Sequence, residues 1–66
     1  MITIHRKNLS FVGFDDWCRA VYQHKSGQYF KDVTLKGDKD NIPDILNSSA
    51  DGTFDGEPDY AVRIVD

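Results

Sequence analysis

Cysteine is almost absent from this sequence: Cys18 stands alone in 66 residues. One cysteine makes no internal disulfide and, without companions, no metal cluster. That suits a reducing compartment. Long apolar runs are missing too. No stretch approaches the roughly 18 apolar residues that a membrane span requires, and no basic-then-apolar leader is read at the start. A cytoplasmic protein that does not enter a membrane is expected. Only two histidines, His5 and His24, are present, and unaccompanied they make no metal site. Glutamate is scarce, since ten of the eleven acids are Asp. Asp favours caps and turns over helix interiors, so most carboxylates are expected on loops. There is no internal repeat, interdomain linker or low-complexity segment, so residues 1–66 are read as a single small domain. A domain of this size buries only about 60% of its unfolded surface and is marginally stable.

The charge that is present is unevenly placed. Met1 to Gly37 holds six basic residues (Arg6, Lys7, Arg19, Lys25, Lys31, Lys36) against Asp15, Asp16 and Asp32. Asp38 to Asp66 holds eight acids against only Lys39 and Arg63. The formal net charge is −3. Such asymmetry bears on partners and solubility rather than on fold.

The apolar pattern centres on Phe14 to His24. Phe14, Trp17, Cys18 and Val21 fall at i, i+3, i+4 and i+7, one face of a helix. Asp15 and Asp16 would sit at the positive end of its dipole, with Gly13 before it as N-cap and Gly27 beyond it as a stop. Trp17 and Cys18 are predicted to be core residues. Met1–His5, Gln28–Lys36 and Tyr60–Val65 alternate as strands. Tyr29, Val33 and Leu35 share one face of the second, and Tyr60, Val62 and Ile64 one face of the third. Pro43–Asn47 reads as a short helix with Pro in its first turn, Asn41 as cap and Ile42 packed on Leu46. Ser48–Asp59 reads as a loop. The fold expected is an α+β two-layer sandwich: about three mostly antiparallel strands packed on one main helix. Lys31 and Arg63 would protect its edges.

Catalytic chemistry finds little support. On a helix Cys18 and His24 would lie about 240° apart and could not form a nucleophile–base pair. Asp15 and Asp16 are adjacent at a predicted helix start, where dipole compensation accounts for them. The loop acids have no apolar pocket evident around them that would push their pKa values apart. No enzyme, cofactor or bound metal is expected. Asp51, Thr53, Asp55 and Gly56 match positions one, three, five and six of a calcium loop, and Asp59 the ninth. The twelfth, which should be a bidentate Glu, is Val62. Two Asp-Gly turns close together explain the pattern more simply.

The acidic half carries the functional expectation. Asp38, Asp40, Asp44, Asp51, Asp55, Glu57 and Asp59 are read as a docking face for a protein partner with a basic surface. Phosphates along a nucleic-acid strand are spaced anions, and carboxylates held rigidly can imitate them. Phage inhibitors of host restriction or CRISPR defence include many small, acidic, cysteine-poor proteins of this kind. The expected function is therefore occlusion of a nucleic-acid-handling complex, of phage or mobile-element type, without direct binding of nucleic acid. The alternative is a nucleic-acid-binding or regulatory module that uses Arg6, Lys7, Lys25, Lys31 and Lys36 for phosphates and Tyr29 with Phe30 for stacking.

Overall fold

The structure, a computed structural model, describes residues 2–66. Six strands follow one another: β1 (Ile2–His5), β2 (Leu9–Phe14), β3 (Ala20–His24), β4 (Tyr29–Lys31), β5 (Ile45–Ser49) and β6 (Pro58–Val65). Single 3-10 turns occupy Arg6–Asn8 and Ala50–Gly52, and no α-helix is present among the described residues. The expected α+β sandwich is therefore replaced by one curled, half-barrel sheet.

The spatial order is β1-β6-β5-β4-β3-β2. β1 pairs parallel with β6, and every other neighbouring pair is antiparallel. The two edge strands are thus β1 and β2, which only Arg6–Asn8 separates. In a flat six-stranded sheet the edges would stand about 24 Å apart. A three-residue link spans at most about 14 Å. The connection alone obliges the sheet to curl. A bulge in β2 assists: Phe11 opposes Tyr22 and Gly13 opposes Val21, leaving Val12 as the extra residue. Gly13 takes φ +146°, a conformation that favours glycine. It is a bulge residue and not the expected N-cap.

Residues directly opposite one another share a face. The row Phe11, Tyr22, Phe30, Ser48 therefore faces the inside of the curl. Leu9, Ala20, Tyr22, Phe30, Leu46, Val62 and Ile64 form the buried core, with Ile4, Phe11 and Ile42 packed against it. The Tyr22 hydroxyl is 3.0 Å from both the Asp38 and the Asn41 carbonyl oxygens, on which it can donate. Burial, with Asp32 and Asp38 nearby, pushes its pKa up to about 12. A side chain on Gly37 would collide with the same hydroxyl and stand 2.8 Å from Pro43 Cδ.

The two predicted helices are strands or turns for identifiable reasons. Phe14–His24 folds as the end of β2, a turn and β3. The Asp15 carboxylate accepts from the N–H groups of Trp17 (2.9 Å) and Arg19 (3.0 Å), which closes the turn. Ala20-Val21-Tyr22 then supplies a buried run with β-branched and aromatic content. Trp17, placed in the core by the helical stripe, is 73% exposed. Cys18 is exposed as well, at φ +62°. Pro43–Asn47, expected as a short helix, runs instead into β5, where Leu46 is buried and Ile45 exposed. Ser48 and Ser49, expected in a loop, are buried in the same strand. The Ser48 hydroxyl accepts from Gln28 Nε2 at 2.8 Å.

The strand expected over Gln28–Lys36 stops at Lys31 because Asp32 folds the chain back. Its buried carboxylate accepts from the Thr34 N–H and hydroxyl and from the Lys36 and Gly37 N–H groups. Val33 and Leu35 are consequently exposed. Val62 and Ile64 are buried as the alternation of the last strand requires, while Tyr60 is exposed. Neither expected edge guard lies on an edge, since Lys31 is in β4 and Arg63 in β6.

Candidate functional site

All seven acidic residues of the expected docking face are exposed. β5 divides them. Asp38, Asp40 and Asp44 precede it, and Asp51, Asp55 and Glu57 follow it, with Asp59 near the start of β6. The register sets Ile45 opposite Arg63 and Ser49 opposite Pro58, so the first set flanks one end of β5 and Asp51 and Asp59 flank the other. The acids thus form two groups and not one continuous face. Asp44 is engaged by Arg6 at 2.7 Å, and the same guanidinium meets Asp66 and donates to the Ile42 carbonyl. The Asp38 carboxylate accepts from the Asp40 N–H at 2.8 Å and stiffens their turn. Among the described residues none of the other six acids makes a salt bridge.

The Ala50–Glu57 segment folds back over the outer side of the sheet. Asp51 and Gly52 take φ +61° and +69°, which turn the chain. The Ala50 N–H donates to the Glu57 carbonyl at 2.6 Å, and the Ser49 hydroxyl donates to the Thr53 carbonyl. Phe54 then packs edge-on against Tyr29, with ring centroids 5.9 Å apart, and lies over Gly13. This brings Asp55 and Glu57 beside the β2–β3 turn. Together with Asp15, Asp16, Trp17, Arg19 and Lys31 they line a recess of about 170 Å³. The twelfth position of the calcium-like pattern, Val62, is a core residue. Among the described residues no group of three or more His, Cys, Asp or Glu side chains is placed to hold a metal ion.

At the floor of the recess lies an ion cluster. Lys31 sits in the row Val21, Lys31, Asn47, Ala61 on the outer face, and both Val21 and Lys31 are fully buried there. Its ammonium donates to Asp15 Oδ2 at 2.9 Å, and Arg19 Nε donates to the same oxygen at 2.7 Å. Burial alone would push the Asp15 carboxyl up. Lys31, the Arg19 N–H and guanidinium, and the Trp17 N–H outweigh it and hold the group well below the usual carboxylate range. The Arg19 guanidinium also lies 5.9 Å from the centre of the Trp17 ring, in cation–π range. A polar floor fixed by five hydrogen-bonding groups thus supports a rim of Asp16, Asp55, Glu57 and an exposed indole.

Reading the sequence as a helix hid this site. The helical spacing puts Asp15 at a helix start and Trp17 in a core, and the alternation of Gln28–Lys36 leaves Lys31 as an edge guard, with Arg19 given no role beyond its charge. The available signal was two turn-forming Asp residues between two apolar runs that each also fit a strand. The aromatic pair considered for base stacking is not available as a platform. Phe30 is 2% exposed, and Tyr29, on the opposite face, is half-buried under Phe54. No described helix is long and apolar enough to cross a membrane. Comparison with family models, with curated proteins and with solved structures finds no match for this chain.

Proposed function

We propose that this protein is a small acidic binding protein, and not an enzyme, that occludes a basic, nucleic-acid-binding surface of a protein partner. Inhibition of a host nucleic-acid-handling defence complex by a phage or mobile element is the specific form of this reading. One observation carries it: of the seven exposed acids of the expected docking face, only Asp44 makes a salt bridge among the described residues. Carboxylates that are held in place and left unpaired are free to meet Lys and Arg of a partner. Asp55 and Glu57 are the centre of the docking surface, because the packed Phe54 holds their loop and Trp17 stands beside them. An exposed indole next to acids suits the aliphatic stems and cationic heads of Arg and Lys.

The test is competition. The purified chain should release a nucleic-acid probe from its partner and not shift the probe itself at physiological salt. Association should slow steeply as salt rises. Asp55→Asn with Glu57→Gln should weaken the competition with the melting temperature preserved, and Asp38→Asn with Asp40→Asn should weaken it less. Lys36→Ala and Lys39→Ala are the controls. A probe shift by the chain alone, abolished by lysine and not by aspartate changes, would replace this reading with direct nucleic-acid binding.

A further inference from the structure

A second recess, of about 460 Å³, lies where the Arg6–Asn8 turn meets the β3–β4 turn. Lys7, Asn8, Ser10, Gln23, His24 and Lys25 line it. The backbone builds this corner. Leu9 pairs with His24 and Ser10 with Gln23. The Lys25 N–H donates to the Asn8 carbonyl at 2.9 Å and ties the two turns together. The β3–β4 turn is held tight by the Gly27 N–H, which donates to the His24 carbonyl at 2.8 Å. Lys7 and Lys25 therefore flank one concavity on a fixed frame.

Its charge runs against that of the chain. Acids outnumber lysines and arginines by eleven to eight, yet no carboxylate lines this recess. Neither Lys7 nor Lys25 makes a salt bridge among the described residues, whereas the adjoining Arg6 is held by Asp44 and Asp66. The neutral hydrogen-bonding side chains of Asn8, Ser10 and Gln23 share the lining with the two lysines. Two cations with amide and hydroxyl donors in the same recess complement one compact dianion. A nucleic-acid strand would want a longer row of cations and aromatic faces for its bases. No Phe, Tyr or Trp lines this recess.

We propose that the recess between Lys7 and Lys25 binds a single terminal phosphate group, that of a phosphomonoester. Such a group carries about −1.5 to −2 charge at neutral pH, which the two lysines match. The site stands apart from the acidic surface and does not rest on the function proposed for it.

The experiment is a titration of the whole chain followed by amide NMR at constant ionic strength. The probes are methyl phosphate, dimethyl phosphate, and a dinucleotide with and without a 5′-phosphate. Methyl phosphate should give saturable shifts confined to residues 7–10 and 23–27, and the singly charged diester should not saturate. Lys7→Ala and Lys25→Ala should each weaken binding about tenfold, the loss of one charge-assisted contact, and the double variant should abolish it. Both side chains are exposed, so these variants keep the fold. Lys36→Ala should change nothing. Tighter binding of the phosphorylated dinucleotide than of methyl phosphate assigns the group to a nucleic-acid end, and equal binding assigns it to a small phosphomonoester. Shifts that stay linear, scatter over Lys36, Lys39 and Arg63, or survive the double variant overturn the proposal.

Discussion

The Lys31 ammonium lies 2.9 Å from Asp15 Oδ2, with the two side chains 1% and 2% exposed. This pair joins the middle of the sheet to the β2–β3 turn. A buried charge without its partner is costly, so each group constrains the other. The same carboxylate also closes the turn through the Trp17 and Arg19 N–H groups. One side chain therefore sets both the turn and the floor of the acidic recess.

Asp15→Ala should cost about 3–5 kcal/mol, the range for breaking a buried pair. It strands the Lys31 ammonium and leaves two backbone N–H groups without an acceptor. Lys31→Met should cost less, about 1–3 kcal/mol, because Arg19 still meets the carboxylate. The double variant should lose less than the two single losses added together, since neither charge is then stranded. Urea unfolding of the four proteins measures this. Additive losses would mean that the pair is not coupled.

Acid should unfold the protein through two carboxylates. Asp15 and Asp32 are both held below the ordinary range, although burial alone would raise each. For Asp32 the opposing groups are the Thr34 hydroxyl and N–H and the Gly37 and Lys36 N–H groups. A folded pKa below the unfolded one means that the unfolded chain binds protons first. The stabilisation is therefore complete above the unfolded value of about 4 and lost as pH falls toward the folded values. Melting temperatures taken down from neutral pH should drop below about pH 4. Asp32→Asn should be less stable than the parent at neutral pH and show a shallower acid limb. An unchanged limb in that variant would sink the assignment.

Trp17 tests the fold most simply. As a core residue on a helix, it would take several kcal/mol with it on truncation. At 73% exposure Trp17→Ala should change stability by no more than about 0.5 kcal/mol. Its fluorescence should be that of a water-exposed indole, quenched by iodide in the folded protein. The substitution should instead weaken partner competition. A large loss of melting temperature would return Trp17 to the core.

The contrast between these two outcomes for Trp17 explains what could be read from the sequence. The strands expected over Met1–His5 and Tyr60–Val65 were legible because alternation of β-branched residues has few other uses, and the structure has them at Ile2–His5 and Pro58–Val65, with Pro58 and Asp59 moved from the expected loop into β6. The buried positions Val62 and Ile64 followed from it. The turn-rich nature of residues 51–57 was legible from its Asp and Gly. Phe14–His24 was not. Four apolar residues at helical spacing also fit two strand ends joined by a turn, and what decides between them is the Asp15 carboxylate holding that turn. Ser48 and Ser49 in a strand were equally hidden, since their burial depends on Gln28 and on carbonyls of the following loop. Lys31 was the least legible, because its partner is a contact between distant parts of the chain. The exposure of the seven acids followed from their loop composition. Their division into two groups required the register of β5 against β6.

The order of the strands has a consequence for the route by which the chain folds. β2, β3, β4, β5 and β6 are neighbours in sequence and in space, so each can pair with a strand already made or just emerging. β1 cannot. It emerges first, and its only partner is β6, with Ile2 beside Val62 and His5 beside Val65. Until then Ile4 has no neighbour at Ile64, and Arg6 has no Asp66 to meet. Closing this longest loop should be the slow, entropy-limited step, since contacts between distant segments cost most loop-closure entropy. Weakening the β1–β6 seam, for example with Ile64→Val, should therefore slow refolding, and an equal loss in the β2–β3 hairpin, which is paired before this step, should slow it too and leave unfolding little changed.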